Sequence, residues 1–238
     1  MTSYKTEQEQ LEDLKTWWRE NGQSTLIGIA LAIAAVVGWQ GWTNREIAQQ
    51  DNAAGIFQNL VSADNAATEN PTPEMLATGK TLADSLKKDY AGTPYAQYAA
   101  LYKAKFAVEE KKLGDAEVEL RWLLEQKPER ELLLTANLRL ARVLLAQARY
   151  DDALEIATKT ADTGSFAWQF ADVRGDILKL KNDNTGALAA YLEARDAIAK
   201  LKDAPERNPL LDMKIKALQA MVPAADAAAN DAVATDAK

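Results

Sequence analysis

The chain of 238 residues contains no histidine and no cysteine. Without them it cannot form Ser-His or Cys-His nucleophile pairs, zinc sites with imidazole or thiolate ligands, disulfides or CxxC redox centres. It also lacks the two glycine-rich motifs that most often cradle nucleotide phosphates, GxxxxGK[ST] and GxGxxG. We therefore expect a protein that is not an enzyme and that uses no cofactor and no metal.

Basic residues are also in deficit, with 28 Lys and Arg against 35 Asp and Glu and a net charge of −7. Proteins that bind phosphate backbones carry a basic stripe, so we expect no nucleic-acid partner. Adjacent carboxylates at Glu109 and Glu110, and at Asp151 and Asp152, could suggest acid-base chemistry. Neighbours in a helical sequence do not face each other, which favours a solvated surface role for all four.

Charged side chains are absent from one long segment, the 24 residues from 21 to 44. Its apolar centre, Leu26 to Trp42, has 17 residues, about the lower limit for crossing a hydrocarbon core of roughly 30 Å. Apolar side chains point in all directions around the helix, which favours lipid over the one-sided burial of a soluble core helix. The small-residue triplet Ala32-Ile33-Ala34 lies inside the run and a long acidic segment precedes it, so cleavage as an export signal is disfavoured. We predict a permanent transmembrane helix over residues 21–44.

Tryptophans flank this segment on both sides. Trp17 and Trp18 precede it, while Trp39 and Trp42 lie at its end. A helix would separate Trp18 from Trp39 by roughly 32 Å, which matches the two aromatic belts of a bilayer. We therefore predict that all four anchor the span at the membrane interfaces. The first two also fit a small amphipathic helix in the segment before the span.

The distribution of Lys and Arg predicts the orientation. Lys5, Lys15 and Arg19 precede the span, whereas Arg45 stands alone after it until Lys80. Because positive residues stay inside, residues 1–20 are expected in the cytoplasm and the rest in the bacterial periplasm. The predicted location is thus the inner membrane, crossed once.

After the span, apolar residues recur at helical spacing between Gly, Pro, Asn and Asp breaks, and no strand pattern competes. The longest break runs from Ala63 to Glu74 and contains Pro71 and Pro73. The predicted helices are Ile47–Ala63, Glu74–Asp89, Pro94–Lys112, Ala116–Gln126, Glu131–Ala148, Asp151–Thr160, Phe166–Lys179, Thr185–Leu201 and Asn208–Met221.

Small residues recur through these helices with a period near 34. Ala153 follows Ala116 by 37 residues, and Ala187 follows Ala153 by 34. This period is the signature of tetratricopeptide stacking, in which small residues let paired helices approach closely. The first helices carry small residues in the same register: Ala104, Ala141 and Gly175.

The predicted fold class is therefore all-α: one N-terminal transmembrane helix, then a tetratricopeptide-like α-solenoid of antiparallel helix pairs over residues 45–221. The Ala/Asp-rich tail, 222–238, is predicted to be disordered because it has few large apolar groups. In such a stack the first helix of each pair lines a concave face. The side chains predicted to line this partner-binding groove are Tyr98, Leu101, Lys105, Val108, Thr135, Leu138, Arg142, Leu145, Gln169, Asp172, Asp176 and Lys179. The leucines fit the interhelix core equally well.

Four pieces of the sequence are distinctive: GWQGW at the end of the span, TPYAQYAALYKAKFA (Thr93 to Ala107), NLRLARV (Asn137 to Val143) and DVRGDILKLKNDNTGALAAY (Asp172 to Tyr191). In this order they resemble the YfgM family of membrane-anchored, tetratricopeptide-like ancillary subunits of the bacterial Sec translocon. The resemblance covers roughly residues 7–201, while 201–221 match poorly and the tail has no counterpart.

This resemblance implies a protein without an active site, located beside the SecY-SecE-SecG channel in the lipid bilayer. Its expected partners are a membrane-anchored periplasmic chaperone of the peptidyl-prolyl isomerase class and emerging secretory chains. A second interpretation remains open: residues 1–20 could hold a cytoplasmic stress-response factor, which would make the chain a regulatory membrane anchor.

Overall fold

The computed structural model describes residues 7–69, 72–160, 163–201 and 208–222. Throughout these ranges the regular structure is helical and no strand occurs, which confirms the predicted all-α class. A short 3-10 turn, Gly164–Phe166, precedes α7. The α-helices are α1 (Glu7–Glu69), α2 (Pro73–Asp89), α3 (Pro94–Glu109), α4 (Leu113–Glu125), α5 (Arg130–Ala146), α6 (Tyr150–Lys159), α7 (Ala167–Leu180), α8 (Asn184–Ala199) and α9 (Pro209–Gln219).

Helix α1 corrects the predicted element boundaries. It has 63 residues and includes the positions where we expected the span, a separate helix from Ile47 and a loop from Ala63. Polar groups near the end of the apolar run are satisfied inside the helix, because the Thr43 hydroxyl donates to the Trp39 carbonyl at 2.9 Å. The predicted loop is shorter, since α2 begins at Pro73 with Thr72 as its N-cap. Pro71 lies outside the described residues.

The chain divides into two compact units, Met1–Gly55 and Ile56–Lys238. In the first unit, the described residues form the N-terminal part of α1. Among the described helices, α1 is the one that is long and apolar enough to cross a membrane. Its large apolar side chains are at least half exposed over the whole run: Leu26, Ile27, Ile29, Leu31, Ile33, Val36 and Val37. Such all-round exposure suits contact with lipid tails.

The second unit contains three successive helix pairs, α3 with α4, α5 with α6, and α7 with α8. A tight turn joins the two helices of each pair, and each turn contains a non-glycine residue in the left-handed backbone region. In all three pairs this residue follows the small residue of the first helix by the same number of positions in the sequence. The three residues are Lys111 (φ 61°), Ala148 (φ 58°) and Asn182 (φ 64°).

The small residues that suggested the repeat lie where the helices approach each other. Ala116, Ala153 and Ala187 on the second helices are fully buried. Their partners on the first helices, Ala104, Ala141 and Gly175, are buried as well. Larger side chains fill the spaces between successive pairs, and α9 closes the described part of the stack on α7 and α8 through Leu211, Ile215 and Leu218.

Charged side chains connect neighbouring helices at the edge of the first pair. The ammonium of Lys103 on α3 lies 2.8 Å from Asp84 on α2 and 2.7 Å from Glu119 on α4. Lys87 on α2 also pairs with Glu119 and stands 4.1 Å from the centre of the Trp122 ring. These contacts tie α2 to the first pair. Of the predicted disordered tail, residues 223–238 lie outside the described residues, and Val222 is buried.

Candidate partner-binding surface

The first helices α3, α5 and α7 carry the side chains that the sequence predicted for a groove. On α3, Tyr98 is 42% exposed and Lys105 is partly exposed. On α5, Arg142 is exposed and Thr135 is partly exposed. These side chains are accessible, whereas other members of the predicted set are not.

Leu101 and Leu138 belong to the core instead of to an exposed groove. Leu101 is 8% exposed and Leu138 is 5% exposed, and both lie in the main cluster of buried apolar residues. Leucine at these positions points between successive pairs, where burial of its apolar surface favours helix packing. The groove prediction is corrected at both positions, because these side chains cannot reach a partner while the pairs remain packed.

A cluster of aromatic side chains adjoins Tyr98 within the second unit. The ring of Phe57, near the C-terminal end of α1, lies 5.5 Å from Tyr95, 5.7 Å from Tyr98 and 6.0 Å from Tyr102, measured between ring centres. These separations are typical of aromatic packing. Burial, and secondarily the nearby Asp64 carboxylate, raise the pKa of Tyr102. Sequence reasoning missed Phe57, because its apolar spacing marks only a helix.

Lys105 is already engaged in ion pairs. Its ammonium lies 2.5 Å from the Asp64 carboxylate on α1 and 3.8 Å from Glu109 on its own helix. These contacts largely neutralise the predicted groove lysine. A partner would therefore have to compete with Asp64 for it.

A cavity of about 360 Å³ opens between α3, α4 and α5 beside this lysine. Its lining combines apolar side chains with two arginines, one lysine and one glutamate. The lining residues are Ala104, Lys105, Val108, Glu109, Leu113, Leu120, Arg139, Arg142, Val143 and Ala146. The cavity brings together Lys105, Val108 and Arg142, three residues of the predicted groove.

Arg139 belongs to this site although the sequence analysis did not select it. One guanidinium nitrogen donates to the Leu101 carbonyl at 3.4 Å. Partial burial, and then the like charge of Arg142, lower the pKa of Arg139 below its ordinary value. Neither arginine forms an ion pair with any side chain in the described ranges. The signal that could have found Arg139 is its position, three residues before Arg142 on one helix face.

On α7 the predicted acidic groove residues are occupied by α9. The Lys214 ammonium lies 2.7 Å from Asp172 and 2.7 Å from Asp176. Tyr191 donates a hydrogen bond of 2.7 Å to Asp176, and burial followed by this hydrogen bond raises the pKa of Tyr191. Gln169 is only partly exposed, and its buried Oε1 has no hydrogen-bond partner within the described part of the chain. The α7 end of the predicted groove is thus largely closed.

The predicted membrane anchors are exposed on α1. Trp17 and Trp18 have ring centres 6.4 Å apart, and those of Trp39 and Trp42 are 6.5 Å apart. All four rings are about half exposed or more. Their contact with membrane interfaces stays a prediction.

The carboxylate pairs are surface groups with basic neighbours. Glu110 pairs with Lys80 and Lys112, and these hydrogen bonds lower the pKa of Glu110. Asp151 pairs with Lys181. Among the described residues no group of three or more acidic residues is placed to hold a metal ion. The recessed surface of the second unit that a partner could contact is therefore the cavity between α3, α4 and α5, with its mixed apolar and basic lining.

Helix pairs stacked through small residues in this register define a tetratricopeptide-like α-solenoid. The chain matches the family described as tetratricopeptide repeat-like domain over residues 15–220, and it belongs to that family. Relatives over nearly the full length bear the name Ancillary SecYEG translocon subunit, which confirms the family resemblance seen in the sequence. The Escherichia coli K12 protein is 29% identical over 92% of this chain and 99% of its own length.

Two further relatives carry the same name. The Neisseria gonorrhoeae protein is 27% identical over 92% of this chain and 100% of its own length. The Haemophilus influenzae protein is 26% identical over 84% of this chain and 94% of its own length. No solved structure is significantly similar to the chain.

Proposed function

We propose that the chain is a non-enzymatic ancillary subunit of the Sec translocon in the bacterial inner membrane. Its solenoid, on the periplasmic side, binds a membrane-anchored chaperone of the peptidyl-prolyl isomerase class, emerging secretory chains, or both. The observation that carries this proposal is the extent of similarity: the alignment with the named Escherichia coli subunit includes both the apolar span and the solenoid.

The surface between α3 and α5 supports a binding role. Tyr98 on α3 is an exposed aromatic residue. The cavity combines apolar walls with Arg139 and Arg142, which form no ion pair with any of the described residues. Aromatic residues and arginine supply most of the binding energy at protein interfaces, particularly when they lie in partly desolvated pockets. An extended or helical segment of a partner protein would find both apolar contact and charge here.

The orientation follows from the charge asymmetry around the span. Three basic residues precede it and only Arg45 follows closely, so residues 1–20 are proposed to face the cytoplasm. With this orientation the cavity faces the compartment in which translocated chains emerge. Exposed Leu11 and Leu14 lie on the cytoplasmic segment, where a soluble factor could contact them.

Affinity purification of the tagged full chain from solubilised membranes tests the proposal. We expect SecY to copurify with the wild-type chain and with a variant lacking residues 1–20, because we propose that the translocon role depends on the rest of the chain. The regulatory anchor would be favoured by a different result: the deletion variant loses SecY, and cytoplasmic partners copurify with the wild-type chain but not with the variant. Absence of SecY from both preparations would refute the translocon assignment.

A further inference from the structure

Arg139 and Arg142 lie on neighbouring turns of α5 and line the same cavity. Burial, and then the positive charge of Arg142, lower the pKa of Arg139. Arginine binds carboxylates through strong, charge-assisted hydrogen bonds, so a carboxylate partner is expected for each of the two. Here neither has one among the described residues, although the chain as a whole is acidic.

Nearby carboxylates are already committed to another cation. Asp64 and Glu109 both pair with Lys105 on the opposite wall. The basic character of the cavity therefore comes from the two arginines on α5. A local excess of positive charge persists on a chain whose net charge is −7.

Apart from the two arginines and the pair of Lys105 and Glu109, the wall is apolar. Leu113 and Leu120 from α4, Val108 from α3 and Val143 from α5 are among its apolar lining residues. An aliphatic side chain entering this space would lose its contact with water, which is favourable by about 25 cal/mol for each Å² of apolar surface buried. The cavity can thus bind an apolar group and an anionic group next to each other.

We propose that this cavity recognises an Asp or Glu side chain flanked by aliphatic residues in an amphipathic segment of a partner protein. The inference rests on the proposed function in one respect, that the solenoid is a binding surface, and it adds the chemistry of the bound segment. The carboxylate accepts hydrogen bonds from the guanidinium groups of Arg139 and Arg142, and the aliphatic neighbours contact the apolar lining, including Leu113 and Leu120.

Arginine suits this role better than lysine, because its planar fork binds a carboxylate through two parallel hydrogen bonds. An incoming carboxylate would also relieve the repulsion between the two like charges. Both effects act on the carboxylate and not on its amide isostere. Recognition should therefore discriminate Glu from Gln in an otherwise identical segment.

Binding of two labelled peptides to the purified full chain in detergent tests the proposal. The probes are a short peptide of leucine, alanine and glutamate and its counterpart with every glutamate replaced by glutamine. Fluorescence anisotropy is expected to show at least about tenfold tighter binding of the glutamate peptide, which corresponds to about 1.4 kcal/mol. The preference should disappear in the variant Arg139→Gln with Arg142→Gln. Arg195→Gln, at an exposed position on α8, should preserve it.

A charge-reversed variant tests whether a lost preference for the glutamate peptide results from loss of folding. In Arg142→Glu we expect preference for the glutamate peptide to be lost and binding of a matched lysine peptide to be gained. Equal binding of the glutamate and glutamine peptides by the wild-type chain would overturn the proposed carboxylate recognition while leaving SecY copurification untouched. A glutamate preference that survives the double arginine variant would place recognition elsewhere and would equally overturn it.

The chain's own tail is the main competing occupant, since it carries Asp226, Asp231 and Asp236. A variant ending at Val222 distinguishes the two. If the tail fills the cavity, this variant will bind the glutamate peptide markedly more tightly than the full chain does, and a partner segment is not the primary occupant. We expect equal affinity.

Discussion

The ring of Tyr191 on α8 lies directly against Gly175 on α7. A Cβ atom added at Gly175 would come within 2.3 Å of Cε1 and 2.4 Å of Cδ1 of that ring. Compared with the equivalent positions in the other two pairs, the third pair therefore has the smallest residue on its first helix and the largest on its second. The equivalent positions hold Ala104 with Leu120 in the first pair, and Ala141 with Ala157 in the second.

Gly175→Ala should lower the thermal midpoint of unfolding. Overpacking of a tight core contact costs about 1–3 kcal/mol, and the approach is too close for small adjustments to remove. Alanine gains up to about 1 kcal/mol over glycine in helix propensity, so we expect a net loss. Adding Tyr191→Leu to this variant reproduces the Ala/Leu combination of the first pair and should recover part of the loss in a thermal melt.

The control for this substitution is Gly114→Ala on α4, where an added Cβ would meet no atom within 4 Å. Its thermal midpoint should stay the same or rise. An equal decrease at both glycines would contradict the close packing of Tyr191 on Gly175.

Ala153→Phe should also destabilise the fold. Ala153 is fully buried at the tight position of the middle pair, so a ring there would force the helices apart at a cost of about 1–3 kcal/mol. Ala189 on α8 is exposed, and Ala189→Phe should leave the midpoint nearly unchanged. Denaturant unfolding of both full-length variants provides the comparison, and equal tolerance would contradict the repeat register.

Alkaline pH should weaken the third pair through Tyr191. Burial and the hydrogen bond to Asp176 raise the pKa of Tyr191 in the folded state. Its contribution is therefore complete below the unfolded pKa of about 10 and declines above it, because the unfolded chain then binds fewer protons. The decline should approach about 1.4 kcal/mol for each pH unit while the folded phenol stays protonated.

Tyr191→Phe removes this titration. The free energy of unfolding of the variant should fall less steeply above pH 10 than that of the wild type, although it starts lower at neutral pH because the hydrogen bond is lost. Parallel pH profiles for the two proteins would show that the phenol titrates normally in the folded state.

The span and the helix pairs could be predicted from local patterns. The uncharged run marks the span, and the recurrence of Ala116, Ala153 and Ala187 sets the register of the pairs. Both signals are patterns along the chain, one a run of uncharged residues and the other a recurrence of small residues, and the sequence shows such patterns directly. The continuous helix α1 was missed because the span and the helix from Ile47 were treated as separate elements, whereas α1 continues through both. The Thr43 hydroxyl, between them, is satisfied within the helix.

The groove was only partly predictable, because its composition depends on contacts between distant elements. Helical spacing places Leu101 and Arg142 on first helices but cannot distinguish a residue facing the next pair from one facing outward. Lys214 lies far in sequence from Asp172, and nothing in the local pattern indicates that α9 pairs with that carboxylate. Its spacing from Arg142 places Arg139 near the same helix face, but the cavity that both residues line is formed by three helices, which the local pattern does not show.

The predicted topology places the solenoid in the periplasm. A reporter that is active only outside the cytoplasm, fused after Lys238, should be active because the basic residues precede the span. A reporter that works only in the cytoplasm should be inactive at the same site and active when fused before residue 21. The reverse pattern would assign the cavity to the cytoplasm.

Photocrosslinking in native membranes tests most directly whether the surface between α3 and α5 binds partners. With a photoreactive residue at Ala146 on the cavity wall, we expect crosslinks to a periplasmic chaperone or a secretory chain, and none from Arg195 on α8. Adding Tyr98→Ala and Arg142→Ala should reduce the Ala146 crosslinks by about tenfold or more, since a loss of about 1.4 kcal/mol suffices. The thermal midpoint of unfolding of this double variant should equal that of the wild-type chain. Undiminished crosslinking by the stably folded double variant, or equal crosslinking from Ala146 and Arg195, would contradict binding at this surface.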